Sequence, residues 1–228
     1  MIMPLRVLDA NGDGNAWVLA EALLYAVDPD GDPATDDGAH VINMSLGTTS
    51  RTRIFEAVVQ LATCSIPAGA DPATDISDPG YDADEARCNR FRGVIIVAAA
   101  GNSGSVSEVE YPAAEPTHGL LAVTASSSNS RLASFSNFGS WVRIAAPGDG
   151  ITSSVPGGGY GTWSGTSMAA PLVAGAAALL HGFNPGLKPD DVIKRLTDRS
   201  SVLCGTNLRQ IDAAAAVLDK SPPTTICR

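Results

Sequence analysis

A hydroxyl at the mouth of a helix is the first candidate for chemistry in this chain. Ser167 stands between a small, flexible lead-in (Ser164, Gly165, Thr166) and an apolar run, Met168 to Leu180, that reads as a buried helix. Small residues such as Ala169, Ala170, Ala174 and Gly175 would let that helix pack closely. The positive end of a helix favours a nucleophile and any negative charge forming beside it. The plainer reading is that Ser167 merely caps the helix, a common task for serine at that position. Asn102 is the second candidate, set between Gly101 and Ser103-Gly104 after an apolar run. Its amide is short and neutral, so it can donate to a forming oxyanion without competing as a base. Alternatively it is a turn residue that tolerates left-handed backbone.

Around these two residues the local patterns are specific. Gly165-Thr-Ser-Met-Ala-Ala-Pro171 resembles the nucleophile motif of the subtilisin-like serine proteases, the subtilases. Val41-Ile-Asn-Met-Ser-Leu-Gly47 resembles that family's substrate-binding strand, and Ala98-Ala-Ala-Gly-Asn-Ser-Gly104 its oxyanion-hole segment. Leu132 to Asn137, Ala145 to Gly148 and Ile211 to Ala214 follow in the family's usual order, so the resemblance runs from about Met3 to Val217. It implies an acyl-enzyme on Ser167, with the oxyanion held by the Asn102 side chain and the Ser167 backbone N–H. It also implies that Ser45, Leu46 and Gly47, with Ala99, Ala100 and Gly101, flank an extended polypeptide substrate. The peptide main chain would pair with two exposed edges, by strand addition. Gly12, Asp13 and Gly14 resemble a third rim of the cleft, although Gly-Asp-Gly is equally a plain turn.

A serine hydroxyl needs a base to take its proton and a carboxylate to hold that base in one tautomer. The resemblance places both upstream of the serine, in motifs of the His-Gly-Thr-His and Asp-Ser/Thr-Gly types, and neither occurs here. Of the three histidines, His181 lies on the order of 20 Å from Ser167 at ~1.5 Å per helical residue. His40 and His118 fall where the family carries no base, and all three read as surface or packing residues. Two functions are therefore expected. One is the C-terminal piece of a serine endopeptidase, whose partner would be the missing N-terminal part of the domain. The other is a catalytically dead protein that binds peptides through the same cleft. By the same resemblance, a missing first strand would leave a slot between Met3–Leu8 and Val41–Leu46. The isolated chain should then be unstable or aggregate unless those two segments pair directly.

The elements that must position these residues are legible from periodicity. Pro4 to Leu8 is a short β-like run ending in the turn Asn11-Gly-Asp-Gly14. Asn15, or the turn before it, can cap a helix over Ala16–Val27 with Trp17, Ala20, Leu24 and Val27 on its apolar side. Val41 to Leu46 reads as a strand that His40 opens, Ile54 to Ala62 as a helix, and Val94 to Ala98 as a strand buried on both faces. Leu120 to Thr124 and Trp141 to Ala145 partly repeat that character. Asp190 to Thr197 and Asp212 to Asp219 close the chain as helices. Strands alternating with helices predict an α/β fold, a mainly parallel sheet with helices on both faces. The resemblance makes it a subtilisin-like fold lacking its N-terminal strands and His-bearing helix. Residues 1–228 then form one partial peptidase domain, with 63–92 as an acidic surface insertion.

Bulk numbers exclude other classes. A chain of 228 residues, 44% hydrophobic and 17% charged, is long enough for one well-buried core. A net charge of −9 without a basic block argues against nucleic acid as a partner. No apolar run reaches the ~20 residues that span a bilayer, and Met1 to Arg6 has no signal-peptide character. Extracellular localisation follows from the resemblance. Cys64, Cys88, Cys204 and Cys227 lack zinc-site spacing. Local loop closure favours Cys64–Cys88 and Cys204–Cys227 disulfides, against four free thiols. No cofactor is required. Asp28, Asp30 and Asp32 alternate, but Pro33 stands where an EF-hand loop needs glycine. A solvated loop is expected there, and structural calcium, common in the resembled family, stays unplaced.

Overall fold

The computed structural model describes residues 1–32, 34–65, 93–224 and 227. Four parallel strands form its centre: β1 (Val41–Met44), β2 (Ile95–Ala99), β3 (Leu120–Ser126) and β4 (Ile144–Pro147). A short pair, β7 (Ser201–Val202) and β8 (Arg209–Gln210), extends the sheet beyond β4, in the order β1-β2-β3-β4-β8-β7. Every residue of β2 and β3 is buried, as a continuous β-branched and apolar run requires of a strand covered on both faces. Alternate residues divide between two cores. Val97, Val123 and Ile144 face α3 (Thr166–Phe183), α4 (Pro189–Asp198) and α5 (Ala213–Leu218); Ile96, Ala98 and Ala122 face α1 (Ala16–Val27) and α2 (Arg53–Thr63). This is the expected α/β layering.

Several expectations change. Asn15 does cap α1, accepting from the Val18 N–H at 2.9 Å. The buried face, however, is Leu19, Ala20, Leu23, Ala26 and Val27, while Trp17 is 64% and Leu24 42% exposed. The helix is apolar nearly all round, so periodicity alone could not choose the face that α2 and the sheet would cover. Pro4 to Leu8 forms no strand and does not pair with β1. Pro4 has no N–H to give a ladder, and only Val7 of this run packs on the α1–α2 core. The strand that His40 was to open as a buried element is instead the sheet edge, with Val41 and Ile42 half-buried and Asn43 exposed. A hairpin of β5 (Ile151–Ser154) and β6 (Tyr160–Trp163) precedes the serine helix and was not foreseen; its polar strands carry no core pattern.

Cys204 and Cys227 are joined by a disulfide, with Cα atoms 5.6 Å apart. Cys64 is also disulfide-bonded. Cys88 and all but the first residues of the expected 63–92 insertion lie outside the described residues, and Thr63 is the last residue of α2. By length and composition α3 could cross a bilayer (mean hydropathy 1.3), yet one face of it packs across β2 and β3.

Candidate active site

The C-terminal ends of β1 and β2 and the N-terminus of α3 meet at one place, and each joint is a named hydrogen bond. The N-cap of α3 is Gly165, so Ser167 does not cap the helix; it lies in the first turn, half-buried. Its backbone N–H has no acceptor among the described residues, as expected of the orphan donors of a first turn. Its carbonyl has lost its helical partner as well, because the residue four positions on is Pro171, which has no N–H. The Ser45 hydroxyl replaces it, donating to the Ser167 carbonyl at 2.8 Å. In return the Ser167 hydroxyl donates to the Ser45 carbonyl at 3.3 Å. A proline inside the helix thus ties the end of β1 to the serine.

Asn102 is held from the other side. Its side-chain oxygen accepts from the Thr166 N–H at 2.8 Å and the Thr166 hydroxyl at 3.0 Å. A backbone N–H can only donate, so the amide end facing Thr166 must be Oδ1. Nδ2 is left with no acceptor among the described residues, one residue away from the equally unpartnered Ser167 N–H. Asn102 sits in a bend but not in left-handed backbone, so positive φ is not what calls for asparagine there. Thr166, which sequence reasoning treated as mere lead-in, is fully buried and also accepts from the Gly101 N–H at 3.1 Å. Asn137 latches the same loop: its oxygen accepts from the N–H groups of Ser103 and Ser105, and its Nδ2 donates to the carbonyls of Ala100 and Glu108. It belonged to a recognised segment, but nothing in its local sequence announced this task.

The proposed peptide edges separate. Ala99, Ala100 and Gly101 are buried, and the Ala100 and Gly101 backbone groups are all taken, by Val123, Thr166 and Asn137. That segment is a wall and not an exposed edge, which corrects the expectation of strand addition there. Leu46 and Gly47, by contrast, have backbone groups without partners among the described residues. They line a cavity of about 490 Å³ together with Gly12, Asp13 and Gly14. The rim residues expected as a third wall therefore share one groove with the open edge.

All three histidines gather at the far end of the sheet. His118 contacts Asp190 (Nδ1 to Oδ2, 2.8 Å) just before β3 begins, about 20 Å from the strand end at ~3.3 Å per residue. His181, near the end of α3, lies against His40 with ring centroids 4.6 Å apart and the rings tilted by 36°. Burial, and then the neighbouring His40, hold the His181 imidazole below its usual pKa. No histidine touches Ser167. As for metals, carboxylate oxygens of Asp28, Asp30 and Asp37 lie within 4.8 Å of one another. Asp30 and Asp32 also accept from backbone N–H groups of their own loop, those of Asp32 and Ala34.

Comparison with known proteins gives the geometry its context. A model of the subtilase family matches residues 1–217. The chain is 35% identical over 204 residues to Subtilisin Savinase of Lederbergia lenta, covering 90% of this chain and 62% of that protein. It is 38% identical over 179 residues to a thermophilic serine proteinase of Bacillus sp. (strain AK1), covering 78% of this chain and 35% of that one. Among solved structures, a protease from Pseudoalteromonas arctica PAMC 21717 superposes with a TM-score of 0.72 at 28% identity, over 94% of this chain and 61% of that one. A cold adapted subtilisin-like serine proteinase gives 0.69 at 30% identity, over 91% and 65%. The chain thus spans between about a third and two thirds of each of these relatives.

Proposed function

The chain belongs to the subtilase family, and from that premise we propose that it is the part of a serine endopeptidase that carries the nucleophile, the oxyanion donors and a peptide-binding edge. The Ser167 oxygen attacks the scissile carbonyl carbon, a C–O bond forms, and the carbonyl π electrons move onto oxygen. That oxygen is met by Asn102 Nδ2 and the Ser167 N–H. The tetrahedral intermediate collapses with loss of the amine, which takes the proton first removed from Ser167, and water later hydrolyses the ester. The base that carries this proton is supplied by polypeptide outside these 228 residues, since the three histidines of this chain lie at the opposite end of the sheet. The substrate is an extended polypeptide that lays its main chain along Leu46 and Gly47, opposite the Gly12–Gly14 rim. Secretion agrees with the Cys204–Cys227 disulfide, a bond that persists in oxidising compartments.

One observation carries this reading: Asn102 Nδ2 and the Ser167 N–H have no acceptor among the described residues, and the Ser167 hydroxyl has there no partner but the Ser45 carbonyl oxygen. A base-less peptide-binding protein is the second reading, favoured by that same lone carbonyl partner. Hydrolysis of an unstructured protein substrate by the full protein as the cell makes it separates the two. Turnover that disappears in Ser167→Ala supports the endopeptidase, whereas peptide binding without turnover supports the second reading.

A further inference from the structure

Glu110 has a carboxylate in an unusual place. A Cβ added at Gly47 would come within 2.6 Å of its Oε2, and one added at Gly101 would meet its Oε1 and Cδ. The carboxylate therefore lies against both glycines, between the open edge after β1 and the wall after β2. The backbone holds it there: Tyr111, the next residue, exchanges both of its main-chain hydrogen bonds with Thr48, the residue after Gly47. It is half-buried, and among the described residues no cation and no hydrogen-bond donor reaches it. Burial, with Glu108 adding its negative charge, holds the Glu110 carboxyl above its usual range.

Five residues along the chain the fold treats a similar group quite differently. The Glu115 side chain is 2% exposed, and Arg51 answers it with Nε and Nη2 at 3.1 and 3.0 Å. A buried carboxylate is costly without a partner, and Glu115 has been given one from within the chain. Glu110 has none among the described residues, and its carboxylate lies between the Gly47 and Gly101 segments, next to Tyr111, which lines the groove. Gly47 is two residues beyond Ser45, whose carbonyl holds the Ser167 hydroxyl, and Gly101 directly precedes Asn102. The residue that supplies the scissile carbonyl carries its side chain on the atom next to the attacked carbon, so on the acyl-transfer reading that side chain is directed toward these two glycines.

We propose that Glu110 sets the substrate class of this cleft, selecting peptides whose residue at the scissile carbonyl is arginine or lysine. This rests on the acyl-transfer reading for the position of the scissile bond. The cation completes the ion pair that the fold leaves open. A hydrogen bond to a charged group is worth about 10–100-fold in affinity once desolvated.

The test is binding rather than turnover, so that the two proposals can fail separately. Product-like peptides identical except for a C-terminal arginine, lysine, norleucine or glutamate are titrated against the full protein carrying Ser167→Ala. Arginine and lysine peptides should bind at least about 10-fold tighter than norleucine, and Glu110→Gln should abolish the difference. Glu110→Gln is nearly isosteric and removes only a partnerless charge, so its unfolding midpoint should not fall. Equal binding, tighter norleucine binding, or a basic preference that survives in Glu110→Gln would overturn the proposal. Absence of proteolysis in the unmutated protein would defeat the endopeptidase reading while leaving this comparison decisive for Glu110.

Discussion

The two ends of the Asn102 amide perform separate tasks, and a single substitution can part them. Oδ1 fastens the loop to the first turn of α3 through Thr166, and Nδ2 is the donor left over. Asn102→Asp keeps an acceptor for the Thr166 N–H and removes the donor. It should leave the unfolding midpoint of the full protein nearly unchanged while lowering kcat. Loss of one oxyanion donor in a subtilisin costs about 10²–10³ in kcat, and a loss of that order is expected for this residue. Asn102→Ala loses both tasks and should also lose about 1 kcal/mol of stability, the usual cost of a missing helix cap. A normal kcat in Asn102→Asp would remove this residue from the oxyanion hole. The sequence named Ser167 and Asn102 because both lie in motifs. It could not name Thr166 or Glu110, whose importance depends on which distant backbone they meet.

Between elements, the joint that matters most connects the end of β1 to α3. Pro171 withholds the N–H that would occupy the Ser167 carbonyl, and Ser45 supplies a hydroxyl in its place. Ser45→Ala leaves that carbonyl without a partner and should cost about 1–3 kcal/mol. Pro171→Ala restores a helical N–H aimed at the same oxygen, and Pro171 is exposed, so little packing is lost. In a double-mutant cycle followed by chemical denaturation, Pro171→Ala should recover most of the Ser45→Ala loss. Additive effects would mean the two are not coupled. The helices and the buried strands were legible here because their patterns are strong over many residues. The face of α1 was not, since apolar residues surround it, and neither was the β5–β6 hairpin, whose Gly157-Gly158-Gly159 turn has positive φ throughout but whose strands are polar. The Ala99–Gly101 edge was misjudged because sequence shows which backbone groups exist and not which are already bonded.

Taken as a whole, the molecule has an open flank. Among the described residues β1 pairs only with β2, and Met1, Ile2, Met3 and Leu5 of the N-terminal segment are exposed and in no strand. On α3, Leu172, Leu179 and Phe183 are exposed as well. An unpaired edge and uncovered apolar side chains are a template for association. Residues 1–228 expressed alone should therefore self-associate at micromolar concentration in sedimentation velocity, and a monomer with sharp cooperative unfolding would contradict this. The expected slot beside β1 was read from family resemblance, whereas its sequence shows only a short apolar run. The central claim is that Ser167 is an acylating nucleophile whose base lies outside this stretch. Fluorophosphonate labelling, mapped by mass spectrometry, tests it directly. The protein as the cell makes it should be modified rapidly and at Ser167 alone, and residues 1–228 expressed alone should not be; slow or absent modification of the complete protein, or label on another residue, would contradict the account.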